Sequence, residues 1–122
     1  MKLLNLVAVT ALLMMLIGCS SAPDDIVISY CKALDAGKIE EAGSFLSKDA
    51  TVALQSAGGK WLLADAGAKF KQRKGLSKIK ITRKKITGDS ALVEFEYNFK
   101  DGTKLGDSFP LIKESGSWKI SK

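Results

Sequence analysis

The sequence predicts an α+β domain in which three N-terminal helices pack on one face of a four-stranded antiparallel meander. Apolar residues recur at helical spacing between residues 26 and 70. From residue 79 onward they alternate with polar residues, which is the period of a half-buried strand. The pairs Gly88-Asp89 and Asp101-Gly102 separate the alternating runs and suit tight hairpins that need positive φ.

The first helix has a signal at each end. Proline needs no N–H partner in a first turn, and carboxylates suit the positive end of the helix dipole, so Pro23, Asp24 and Asp25 mark its start. Gly37 ends it. Its core face carries apolar residues at helical spacing, namely Ile26, Val27, Tyr30, Cys31 and Leu34.

The next two helices are separated by a stretch with little pattern. A short second helix places Ile39, Ala42, Phe45 and Leu46 on one face. Residues 51–54 (Thr-Val-Ala-Leu) are typical of a short strand, and Gly58-Gly59 is a break. The third helix ends near Gly75 and is predicted to contain Trp61, Leu62, Ala64, Asp65, Ala68 and Phe70.

The four strands follow from the alternation. The clearest strand places Val93, Phe95, Tyr97 and Phe99 on one face, and the first strand is marked by Ile79 and Ile81. The third contains Leu105, Phe109 and Leu111, and the fourth Trp118 and Ile120. Because proline cannot donate to a ladder, we expect Pro110 at a bulge or on an unpaired edge.

An apolar run opens the chain and predicts its destination. Lys2 precedes Leu3–Ile17, which ends in Leu16-Ile17-Gly18-Cys19, the layout of a secretory signal peptide. The ending resembles the bacterial lipoprotein signal, which implies that Cys19 is acylated. The alternatives are ordinary cleavage or a retained helix, but 15 residues span only about 22 Å of a roughly 30 Å hydrocarbon core.

The expected organisation is a lipoprotein signal peptide at 1–18, a lipidated cysteine with a short linker at 19–23, and one domain at 24–122. The membrane is then a partner through the lipid on Cys19. In enteric-type bacteria, Asp after the lipidated cysteine resembles a signal for inner-membrane retention. Because Ser20 stands there, the resemblance implies the outer membrane of a bacterial envelope, with the domain facing the periplasm.

Cysteine and histidine usage narrows the chemistry. If Cys19 carries lipid, Cys31 has no intramolecular partner, and it is either a small core residue or a site of intermolecular pairing. Its position on the apolar face of the first helix favours the core. The sequence contains no His, so we expect no metal site and no cofactor.

Several segments together resemble a known family. Tyr30–Leu34, Gly37-Lys38 and Glu41-Ala42 look like the helical opening of small bacterial lipoproteins with the nuclear-transport-factor-two-like, or cystatin-like, fold. Their sheet is suggested by Ala91–Val93, Phe99–Gly102 and residues 111–120. The resemblance implies a curved sheet that wraps over the helices as a cone. Many relatives have a pocket in the cone, and some are isomerases or dehydratases.

The expected pocket is apolar. Its candidate lining residues are Trp61, Phe95 and Tyr97. Glu94 and Glu96 alternate with Phe95 and Tyr97 along the strand, so we expect them on the opposite face, away from the pocket. Asp65 and Asp107 are the two acids that could face it, although both also suit exposed positions. No catalytic residue is assigned. The sequence favours a binding or structural accessory module, and the alternative is a small-ligand carrier or a pocket enzyme of the isomerase or dehydratase kind.

A basic run is the most unusual surface feature. From Lys69 to Lys85 every charged residue is cationic, nine in all, in a chain of net charge +6. Export argues against nucleic acid, so we expect anionic envelope polymers or lipid headgroups as partners, alongside a possible protein partner. The candidate contacts are Lys78, Lys80, Lys84 and Lys85. The alternative is a solvated strand that keeps an edge from aggregating.

Overall fold

A computed structural model describes residues 21–121 and gives four helices followed by four strands. The predicted signal peptide and Cys19 lie outside the described residues. The helices are α1 (Pro23–Asp35), α2 (Ile39–Ser44), α3 (Lys48–Ser56) and α4 (Lys60–Gln72). The strands are β1 (Leu76–Thr87), β2 (Ser90–Phe99), β3 (Lys104–Glu114) and β4 (Ser117–Ile120). The α+β prediction is confirmed, with one more helix than expected.

The additional helix is α3, and it corrects the short strand expected at residues 51–54. Ser47 caps it, because its Oγ accepts the Ala50 N–H at 3.1 Å. This cap satisfies a donor that would otherwise have no partner in the first turn. Ser47 also donates its own N–H to the Ile120 carbonyl at 2.8 Å, which ties the helix start to β4. Local capping and a tertiary contact therefore override the strand preference of Thr51 and Val52.

The sheet is an antiparallel meander in the order β1-β2-β3-β4. Gly88 and Gly102, both at positive φ, lie in the two predicted hairpins. Register shifts interrupt the β1–β2 ladder between Leu76 and Lys78 and between Ile81 and Arg83. Such bulges bend a strand and increase its twist, which curves the sheet over the helices.

Pro110 sits where it costs no ladder hydrogen bond. The β3–β4 pairing ends at Leu111 and Ile120, one residue away. The Pro110 carbonyl accepts the Ser121 N–H at 2.9 Å, so its ring nitrogen also points to the side of β3 where β4 has ended. The expected unpaired edge is thus the β4-facing side of β3 beyond the end of the ladder.

The core lies between α1 and the concave face of the sheet. Val27, Cys31 and Leu34 of α1 are buried, as are Val93 and Phe95 of the sheet. The eight elements described between residues 21 and 121, and this core, fall within residues 23–120, so a chain of residues 20–122, called here the soluble domain, contains all of them. None of the helices between residues 21 and 121 is long and apolar enough to cross a membrane.

The helix α1 runs along β1 and connects the two ends of the domain. Near its start, Asp24 accepts a hydrogen bond from Lys84 Nζ at 3.1 Å. At its end, Asp35 Oδ1 accepts the Leu76 N–H at 3.1 Å. Residues 84–92, called here the hairpin end, therefore lie beside the start of α1. The first residues of β1 lie beside its C-terminus.

Candidate ligand-binding site

An open cavity of about 470 Å³ lies between α1, α4 and the concave face of β2 and β3. Its walls are mainly apolar and aromatic, and a few polar groups converge on them. This combination is typical of small-molecule sites. The lining residues used below are Tyr30, Leu34, Ala66, Lys69, Phe70, Arg73, Tyr97, Phe99, Leu105, Asp107 and Phe109.

Two periodicities bring these side chains together. Helical spacing places Ala66, Lys69 and Arg73 on one face of α4. Strand alternation places Tyr97 and Phe99 of β2 on the concave face. In β3 the same alternation contributes Leu105, Asp107 and Phe109. The cavity is therefore a product of regular elements rather than of loops.

Aromatic rings form the inner wall. Phe70 lies 5.3 Å from Tyr97 and 5.7 Å from Phe99, measured between ring centroids. Tyr30 meets Phe109 edge to face at 5.7 Å. These separations are those of favourable aromatic pairs, which contribute to the packing of the wall.

The polar groups of the cavity carry both signs of charge. The Tyr97 hydroxyl donates to Asp107 Oδ2 at 3.0 Å. The Arg73 guanidinium carbon lies 5.5 Å from the centre of the Phe99 ring, which orients the cation at the cavity mouth. Lys69 forms an ion pair with Asp65 at 3.3 Å. Arg73 forms no ion pair with any residue between 21 and 121. Arg73 is thus a lining cation outside these ion pairs. Hydrogen bonds, and then the charge of Arg73, lower the pKa of the nearby Asp101 carboxyl.

The phenols and the thiol around the cavity are neutral at physiological pH. Burial, followed by the charge of Asp107, raises the pKa of the Cys31 thiol to about 12. Burial also raises the pKa of Tyr30 to about 12 and places the pKa of Tyr97 well above its usual range. Because the thiolate is the reactive form, Cys31 is not an activated nucleophile.

Cys31 should be unreactive in the folded protein. The prediction of burial is confirmed, since its side chain is fully enclosed. We expect a thiol reagent such as 5,5′-dithiobis(2-nitrobenzoate) to modify the soluble domain only after denaturation. A control with Val52→Cys, at an exposed α3 position, should react at once. Rapid native modification of Cys31 would contradict its enclosure.

The three residues expected to line the pocket have different positions. Tyr97 lines the cavity, and Phe95 lies behind it, 2% exposed and 5.1 Å from the Tyr97 ring. Trp61 is 68% exposed in the first turn of α4 and lies outside the cavity. Trp61 is therefore not a lining residue, because α4 turns a different face toward the core. Its buried residues are Leu63, Gly67 and Phe70.

The two acids that were candidates to face the pocket also have different positions. Asp107 lines the cavity, whereas Asp65 pairs with Lys69 and does not. Tyr30, Phe70, Arg73 and Phe109 were not anticipated as lining residues. Two of the cavity walls could have been predicted from the sequence. The strand alternation places Phe109 on the concave face, and the spacing of Ala66, Lys69 and Arg73 places them on one helix face.

The four lysines expected to contact an anionic surface do not form one surface. The bulge after Ile81 shifts the face of β1, so Lys84 pairs across with Val93, on the core face. Lys78, Lys80 and Lys85 pair with Asn98, Glu96 and Leu92 on the opposite face. Lys84 is moreover ion-paired with Asp24. Lys84 therefore lies on a different face of β1 from Lys78, Lys80 and Lys85.

Solved structures with the same architecture support the fold. A "Putative NTF2-like transpeptidase" from Campylobacter jejuni is 23% identical, with a TM-score of 0.71 over 84% of this chain and 99% of that one. A SEC-C motif containing protein from Rhodopseudomonas palustris is 12% identical, with a TM-score of 0.59 over 83% and 76%. A DUF4783 family protein from Bacteroides ovatus is 13% identical, with a TM-score of 0.52 over 76% and 86%.

At these identities the likeness shows the fold alone, and that fold is NTF2-like, as the resemblance to the nuclear-transport-factor-two-like family implies. No curated protein matches the sequence. A family match extends over residues 17–121, which is most of the chain. The chain therefore belongs to the family described as "Domain of unknown function (DUF4878)".

Proposed function

We propose that this chain is a lipid-anchored binding module of the bacterial envelope, and that the open cavity is its binding site. The ligand class is a small molecule with an apolar body and an anionic group. The observation that carries the proposal is the arrangement of the cavity: an aromatic wall with Arg73 at its mouth. The wall would bury the apolar body, and the guanidinium would pair with the anion.

The chemistry of the residues favours binding over catalysis. A general base needs to be desolvated and aimed at its substrate, but Asp107 is exposed and already accepts the Tyr97 hydroxyl. A transpeptidase, as in the name of the Campylobacter relative, needs an activated nucleophile, and the buried neutral Cys31 is not one. The carrier alternative is thus better supported than an isomerase or dehydratase.

The proposed anchor gives the cavity an orientation. Three residues separate Cys19 from Pro23, a reach of about 10–14 Å, so the start of α1 stays near the membrane. The hairpin end lies beside that start through the Lys84–Asp24 pair. Leu34, about 15 Å farther along α1, lines the cavity. The mouth would then open away from the anchoring membrane, which we propose is the outer membrane, into the periplasm.

In this orientation only some of the cationic side chains of β1 can contact the lipid headgroups of the anchoring membrane. Lys84 is paired with Asp24, and Arg83 lies 3.5 Å from Glu94. Lys85 is exposed at the hairpin end and is the strand lysine that we propose faces the anionic surface. Lys78 and Lys80 lie farther along β1, toward the cavity.

The anchor is tested by replacing Cys19. In cells supplied with a radiolabelled fatty acid, we expect the natural chain to be labelled and to fractionate with membranes. The Cys19→Ala chain should lose both properties, because stable attachment needs the acyl chains. Cys31→Ala, which removes the other cysteine, is the matched control and should remain labelled. Membrane retention and labelling of Cys19→Ala would contradict the anchor.

The binding site is tested with 8-anilinonaphthalene-1-sulfonate, an aromatic anion whose fluorescence rises in apolar surroundings. The soluble domain should bind it, and Arg73→Gln should weaken binding about five- to tenfold, because a charge-assisted contact at a partly hydrated mouth is lost. Lys38→Gln removes an exposed cation outside the cavity and is the control. It should bind like the natural chain.

Two outcomes would contradict the proposed site. Equal binding by Arg73→Gln and Lys38→Gln would place the dye elsewhere or remove the anion from the recognition. Absence of binding to the folded natural domain would contradict the binding function itself. Circular dichroism of each variant verifies that the fold is retained.

A further inference from the structure

A second open cavity adjoins the candidate site across the rings of Tyr30 and Phe109. It has a volume of about 350 Å³ and lies between α3, α4 and β4. Except for the Tyr30 phenol, its lining side chains are entirely hydrocarbon. They are Tyr30, Leu46, Ala50, Ala53, Leu54, Ala57, Leu63, Phe109 and Ile120.

The rings of Tyr30 and Phe109 border both cavities. They meet edge to face, with centroids 5.7 Å apart, and both side chains are only half-buried. Neither ring is therefore fixed on all sides by the close-packed core, in contrast to Phe95 behind them. Rotation of either ring would join the two cavities into one channel.

One face of α4 runs along this whole path. Arg73 and Lys69 lie at the outer part, Ala66 follows, and Leu63 lines the second cavity. The spacing of three to four residues keeps these side chains on one face over about 15 Å. The path is therefore cationic at one end and hydrocarbon at the other, which is the polarity of an anionic amphiphile.

We propose that the ligand is a single-chain amphiphile with an anionic headgroup, whose acyl tail passes between Tyr30 and Phe109 into the second cavity. This inference rests on the proposed function and adds the class of ligand. The headgroup pairs with Arg73 at the mouth. Asp107, on the opposite wall, repels an anion that moves deeper and so keeps the headgroup at the entrance.

The test is a chain-length series of fatty acids titrated calorimetrically into the soluble domain below their micelle concentrations. Octanoate should occupy the first cavity. If the tail continues past the two rings, each further methylene should tighten binding about three- to fourfold, the value for a buried methylene. We expect this gain to continue through dodecanoate to tetradecanoate.

A variant that fills the second cavity separates the two cavities. Ala53→Phe adds a ring at a lining position of the second cavity, and Val52→Phe, at the neighbouring position of α3 outside that lining, is the matched control. Ala53→Phe should weaken tetradecanoate binding at least tenfold and leave octanoate binding unchanged. Val52→Phe should change neither.

The outcomes distinguish this inference from the proposed function. If octanoate binds but the affinity stops rising at that length, or if Ala53→Phe binds tetradecanoate as well as Val52→Phe does, the inference is overturned and the first cavity remains a site. If octanoate does not bind at all, the proposed function fails as well. Myristoyl-lysophosphatidylglycerol, tested beside tetradecanoate, shows whether a lipid headgroup or a free acid is preferred. Tighter binding of either supports the proposal.

Discussion

Replacing Phe95 by alanine should lower the free energy of unfolding by about 3–5 kcal/mol. Its side chain is 2% exposed and contacts Tyr97 and Phe109, with ring centroids 5.1 Å away in each case. Truncation would remove buried apolar surface and leave a cavity behind two aromatic residues of the candidate site. Urea denaturation of the soluble domain measures the change.

A matched control for Phe95→Ala is Leu105→Ala, at an exposed position of the adjacent strand. Leu105→Ala should lower the free energy of unfolding by less than about 1 kcal/mol, since little buried surface is lost. We also expect Phe95→Ala to weaken the binding of the aromatic anion, because Tyr97 and Phe109 lose their support. A cost below about 1 kcal/mol for Phe95→Ala would contradict the close packing behind the cavity.

Replacing Gly67 by alanine should destabilise the domain by about 1–3 kcal/mol. In an exposed helix interior this change would be favourable by up to about 1 kcal/mol, because alanine has the higher helix propensity. Here a Cβ would lie 2.5 Å from the Leu34 carbonyl oxygen, which belongs to the backbone of α1. The two helices would have to separate, since neither backbone can rotate away.

Gly43→Ala in α2 is the control, because its added Cβ meets no atom closer than the Leu63 side chain at 3.9 Å. It should leave stability unchanged or raise it slightly. The free energies of unfolding of the two variants, measured together, isolate the close approach of α1 and α4. A Gly67→Ala domain as stable as Gly43→Ala would show that the helices do not approach so closely.

The sheet was predictable because one face of each strand is buried. Val93, Phe95 and Phe99 alternate with more polar residues, and this pattern fixes which face they present. The bulge after Ile81 was not predictable. Arg83 and Lys84, which follow it, are both cationic, so the sequence does not show which of them faces the core. The consequence of the bulge, the placement of Lys84 on the core face, was therefore missed.

The helices were predictable in position and less so in orientation. Apolar and small residues surround most of α4, so the sequence allowed two faces, and the packing of Gly67 against Leu34 selects one of them. Trp61 consequently points to solvent rather than into the cavity. In α3 only Ala50 is buried, and a helix with so little core face leaves no clear periodicity.

The candidate site was predictable in part. Tyr97 and the position of Asp107 followed from strand parity. Arg73 is one of nine cationic residues in the basic run, and no pattern in the sequence separates it from the others. Its position at the cavity mouth was therefore evident only from the tertiary structure. The cavity itself depends on how α4 crosses the sheet, and no local pattern encodes that angle.

The most direct test of the cavity as a binding site is a ¹H–¹⁵N spectrum of the soluble domain titrated with octanoate. We expect saturable shifts of the Arg73 side-chain Nε–H and of the backbone amides of Tyr97, Phe99 and Leu105, with the hairpin end unaffected. Shifts that are confined to the hairpin end, or that rise without saturation across the surface, would contradict the account.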